Sequence, residues 1–157
     1  MKAESVVTIR KELKHKSPEE LQELCLRLAR FKAENKELLT YLLFESENEE
    51  TYINTVKEFI DTKFSEIGSN NYYHIKKGVR KIQRNTKKFI RYSNVKETEV
   101  ELLLYFCRKL KAFRPSINNN TTLKNIYLKQ LEMISKKVIK LHEDLQYDYN
   151  EDIKDLE

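Results

Sequence analysis

The chain has 157 residues, with 30 Lys or Arg against 25 Asp or Glu for a net charge of +5, and 39% of its residues are hydrophobic. That suits one domain with a single modest core. Two glycines and two prolines are too few for the turns of a many-stranded fold; no run approaches the ~18 apolar residues of a membrane span, and the start, Met1 to Val7, is too polar for a secretory signal.

Helical patterning runs the length of the chain. A first helix is expected over 3–14, with Val6, Ile9 and Leu13 on one face. Ser17-Pro18-Glu19-Glu20 then carries a cap, a proline suited to the first helical position and the acid of a capping box. The second helix that follows has Leu21, Leu24, Cys25 and Leu28 as its expected buried stripe. A third helix over 35–45 is apolar on most sides through Leu38, Leu39, Leu42, Leu43 and Phe44, a pattern that predicts enclosure by neighbours. A fourth over 48–66 turns Tyr52, Val56, Phe59, Ile60 and Phe64 inward, and Gly68-Ser69-Asn70-Asn71 is the clearest loop.

The fifth helix, 72–92, buries Ile75, Val79, Ile82, Phe89 and Ile90 and is locally weakened by Gly78. The sixth, 95–113, has a wide apolar face of Val100, Leu103, Leu104, Cys107 and Leu110. Pro115 and Asn118-Asn119-Asn120 end it, and Thr121 or Thr122 caps a long seventh helix over 122–148. The acidic residues 149–157 are expected to fray. The sum is an all-α chain of about seven helices in one domain over 1–157. It forms either an irregular bundle or a short stack of helical-repeat-like helix pairs. Cys25 and Cys107 lie among leucines and read as buried free thiols, in keeping with a soluble, cytoplasmic protein.

Ser17-Pro18-Glu19-Glu20-Leu21, then Leu24, Leu28, Phe31-Lys32, Asn35-Lys36-Glu37 and Tyr41-Leu42 come in an order that resembles a family of short bacterial all-helical proteins known only as a domain of unknown function. The basic run from Arg80-Lys81 to Lys87-Lys88-Phe89-Ile90 occupies the matching place, and the resemblance covers about the first two-thirds of the chain. Arg91-Tyr92-Ser93-Asn94 stands where that family carries a glycine. The resemblance implies an all-α fold and a bacterial cytosolic origin, and it implies no activity.

Charge is segregated. Residues 67–96 contain no Asp or Glu and nine Lys or Arg, whereas residues 34–66 hold nine acids and three bases. Lys, Asn, Ile and Tyr are all enriched, as AT-rich codons would make them, so this distribution says more about partners than the overall charge does. Lys77, Arg80, Lys81, Arg84, Lys88 and Arg91 fall on one side of the fifth helix, opposite its apolar residues. Cations three and four residues apart can follow a phosphate backbone, and Tyr72, Tyr73 and Tyr92 at the helix ends could stack on bases. The plainer expectation is a solvated face partly neutralised by Glu58, Asp61 and Glu66 of the preceding helix.

Tyr127, Leu131, Ile134, Val138, Leu141 and Leu145 form a heptad stripe on the seventh helix. It is expected to pack within the chain, so a monomer is favoured over a homodimer paired through that helix. His15, His74 and His142 are scattered, no metal-ligand or nucleophile motif occurs, and the Glu45–Glu50 acidic run lacks the glycine of a calcium loop. No cofactor, metal or catalytic residue is therefore expected. The leading expectation is a non-enzymatic protein-interaction module, working through the basic helix or the heptad stripe against an acidic protein surface. Direct DNA or RNA binding through the basic helix is the alternative, and a small metal-independent enzyme comes third.

Overall fold

Side-chain caps start most of the helices. In a computed structural model, which describes residues 2–68 and 70–157, Ser5 caps α1 (Val6–Leu13) and Ser17 caps α2 (Pro18–Phe31). Ser17 accepts from the Glu20 amide while the Glu20 carboxylate accepts from the Ser17 amide, so the expected capping box is complete. Asn48 caps α4 (Glu49–Ser65), Asn71 caps α5 (Tyr72–Ser93) and Asn120 caps α7 (Thr121–Val138). The remaining helices are α3 (Ala33–Thr40), α6 (Lys96–Ala112) and α8 (Glu143–Leu156), with a π turn at Tyr41–Glu45 and a 3-10 turn at Ile117–Asn119. Among the described residues there are eight α-helices and no strand, and no helix is long and apolar enough to cross a membrane. Ser69 of the expected loop lies outside the described residues.

The expected single domain is instead two compact units, Met1–Phe44 and Glu45–Glu157. In the first, α2 packs on α3, yet none of α1, α2 and α3 carries a buried residue. The stripe of Leu21, Leu24, Cys25 and Leu28, expected inside, is exposed, and so are Leu42, Leu43 and Phe44. An amphipathic pattern fixes which face a helix would bury, and three short helices cannot by themselves enclose one.

The second unit is an irregular bundle built around α6, which packs against α4, α5, α7 and α8. That hub distinguishes it from a linear stack, where each pair touches only its neighbours. Val100, Leu102, Leu103, Leu104, Phe106, Cys107 and Leu110 of α6 are all buried, as a helix surrounded on most sides requires. Tyr52, Val56, Ile60 and Phe64 of α4 and Ile75, Val79, Ile82 and Ile90 of α5 complete one side of the core. Phe59 and Phe89 are half-buried and meet edge to face at 5.1 Å. Gly78 is where Ile67 lies across α5, since a Cβ there would come within 2.9 Å of the Ile67 side chain. The α5–α6 corner turns through Asn94, at φ 57, the left-handed conformation that glycine usually supplies.

The expected seventh helix is two. It stops after Val138, turns through Ile139–His142, and α8 folds back against α6 and α7. Gln146 donates to the Ile139 and Leu141 carbonyls, taking up acceptors that the helix end leaves open. Residues 149–157 are not frayed: Tyr149, Ile153 and Leu156 are buried, and Tyr127 donates to the Leu156 carbonyl. Three apolar side chains spaced four and three apart give the acidic tail a face worth docking.

Candidate anion-binding ridge on α5

The α5 stripe of Ile75, Val79, Ile82, Thr86 and Ile90 is buried and anchors one side of the helix against α4 and α6. The opposite side must then face water. Lys77, Arg80, Lys81, Arg84 and Arg91 are exposed there, and among the described residues none of the five makes an ion pair. Lys88, the sixth member, is half-buried with its Nζ 5.1 Å from the Phe89 ring centre and 6.0 Å from that of Tyr92. From Lys77 to Arg91 the ridge runs about 21 Å at the helical rise.

Among the described residues, no acid of α4 pairs with Lys77, Arg80, Lys81, Arg84 or Arg91. Asp61 accepts from Tyr105 and pairs with Lys109 at 2.8 Å, both on α6. Glu66 pairs with Lys63 of its own helix, and Glu58 is exposed without an ion pair. Glu49 is held at the α5–α6 corner, where it accepts from Ser93 and Thr98. Lys87, which lies off the ridge, is half-buried toward α6. Burial holds its ammonium below the usual lysine range, and the nearby Glu99 opposes that shift.

The tyrosines sort differently from their expected stacking role. Tyr92 is buried and Tyr72 is half-buried, donating to the Ser116 carbonyl at 2.9 Å. Only Tyr73 is exposed, edge-on to His74 at 5.3 Å. The heptad stripe is no pairing surface. Tyr127, Leu131, Ile134 and Val138 are buried within the bundle, Leu141 sits in the turn and Leu145 belongs to α8. His142 caps α8 by accepting from the Asp144 amide. Cys107 is buried as expected, but Cys25 is exposed. No group of three His, Cys, Asp or Glu side chains that could hold a metal ion is gathered among the described residues. No family model matches the chain, and neither the curated proteins nor the solved structures yield a match.

Proposed function

We propose that the protein is a non-enzymatic interaction module whose working surface is the α5 ridge, docking onto an acidic protein surface. The observation that carries this is the set of five exposed cations, Lys77, Arg80, Lys81, Arg84 and Arg91, left without carboxylate partners over about four turns. Uncompensated like charge repels itself, so a face of this kind costs stability unless an opposite field meets it. A rigid helix presents the guanidinium forks in fixed positions, which favours bidentate pairing with carboxylates.

A second reading is nucleic-acid backbone binding. The absence of any acid from residues 67–96, with Tyr73 open at one end, supports it. With Tyr72 and Tyr92 engaged elsewhere, stacking on several bases has little support, and phosphate contacts would carry the affinity.

Fluorescence anisotropy with a labelled polyglutamate peptide and a labelled 20-base-pair duplex, in low and moderate salt, tests both. Polyglutamate binding that is lost in the Arg80→Glu/Arg84→Glu double variant is the expected result. Duplex binding that is the tighter of the two, with log K falling against log salt at a slope approaching about −5, selects the second reading. A double variant that binds either probe as well as the parent rejects the ridge as the surface.

A further inference from the structure

The first unit poses a problem independent of the ridge: its helices are regular and capped, yet their apolar faces are open. Phe31 is 85% exposed, Leu28 61% and Val6 73%, with Val7, Ile9, Leu13, Leu21 and Leu24 between 36% and 63%. At ~200 Å² for a fully exposed large side chain, these eight leave roughly 800 Å² of apolar-residue surface in water. That is the area per partner of a standard-size protein interface.

We propose that this face is covered by a second copy of the chain, with the two α2 helices packed antiparallel. Three features of α2 point to its own copy. First, its apolar positions Leu21, Leu24, Leu28 and Phe31 alternate by three and four, the spacing of a two-helix seam. Reversed on themselves about the level of Leu26, they form matched layers, Leu24 against Leu28 and Leu21 against Phe31. Second, the acids Glu19, Glu20 and Glu23 occupy the first half of the helix and the bases Arg27, Arg30 and Lys32 follow in the second half and at its end. Antiparallel pairing sets the acidic half of each copy against the basic half of the other, whereas parallel pairing sets like against like. Third, an apolar hollow of about 200 Å³ opens between α1 and α2, lined in part by Ile9, Leu13 and Leu24. A cavity of ~150 Å³ accepts a benzene ring, so the hollow has room for an apolar side chain, and the antiparallel register sets Leu28 of the other copy at the Leu24 layer that lines it.

Cys25 lies one residue from the level of the two-fold axis and is exposed, while Cys107 is buried. The pairing therefore carries its own reporter. The full-length chain is sized by light scattering across a concentration series and treated with a short bis-maleimide. Expected are a mass of about twice 18.9 kDa and a crosslinked dimer that disappears in Cys25→Ser. Leu24→Glu/Leu28→Glu weakens association on the order of a hundredfold. Orientation is read in a Cys25→Ser background by mixing Leu21→Cys and Phe31→Cys chains, which crosslink together and not separately. A chain that stays monomeric at high concentration, its face covered by the rest of the same chain or by another protein, overturns the proposal. So does a dimer that survives Leu24→Glu/Leu28→Glu or fails to crosslink through Cys25, and so does crosslinking of either cysteine variant alone.

Discussion

Ile153→Ala asks whether the last helix is part of the fold. The side chain is 5% exposed on α8, which packs against α6 and α7. The substitution removes three buried carbons, worth about 2.4 kcal/mol at ~0.8 kcal/mol each. A residual hole of ~40 Å³ adds about 1 kcal/mol. The expected loss is about 3 kcal/mol, a large part of the total stability of an ordinary domain, and a fall in melting temperature of roughly 10–15 °C. Urea unfolding followed by circular dichroism reads it as a lower midpoint at unchanged slope. Glu151→Ala, an exposed change on the same helix whose only described ion pair is with Lys154, should stay within about 0.5 kcal/mol. An Ile153→Ala variant that also unfolds within about 0.5 kcal/mol of the parent would refute the docking of α8 and restore the frayed tail.

Thiol titration should find one reactive group in the native chain at pH 8 and two in denaturant, because Cys25 is exposed while Cys107 is buried. Burial pushes the Cys107 thiol up to about 12 and, with the nearby Cys107, the Tyr127 phenol up to about 12. Both groups give up their protons earlier in the unfolded chain, near 8.5 and 10. The stability they contribute is therefore whole below pH ~8.5 and is lost as pH rises toward 12. Urea midpoints should fall between pH 8 and pH 10.5, less steeply in Cys107→Ala; a flat profile contradicts their burial. At the α5–α6 corner, Asn94→Gly should hold stability within about 0.5 kcal/mol and Asn94→Val should lose about 1–2 kcal/mol, since a β-branched residue resists positive φ. Equal melting temperatures for the two would contradict the left-handed turn.

Local chemistry was the legible part. Ser17 with Glu20, Asn71 before Tyr72 and the apolar periods of α4, α5 and α6 each mark an element from residues within a few turns. The break after Val138 was not legible, because no glycine or proline marks it and Leu141 and Leu145 continue the heptad count across it. A weaker signal was present: Tyr149, Ile153 and Leu156 extend an apolar face past the point where that count ends. In the first unit the period of Leu21, Leu24 and Leu28 marks a single apolar face on α2, and that face is exposed. Periodicity states that a face should be covered and is silent on whether the same chain covers it.

The ridge was legible for a related reason, and its openness was not. Six cations opposite an apolar stripe can be counted on a helical wheel, but whether nearby acids reach them depends on the roll of α4. That roll is set by Tyr52, Val56, Ile60 and Phe64 taking the core. Position 61 lies one residue, about 100°, from Ile60, and this turns its carboxylate toward Tyr105 and Lys109 of α6 rather than toward α5. Lys57, one residue past Val56, is drawn the same way and pairs with Glu101. The apolar packing that built the bundle thus holds Asp61 on α6, away from Lys77, Arg80, Lys81, Arg84 and Arg91, which face water.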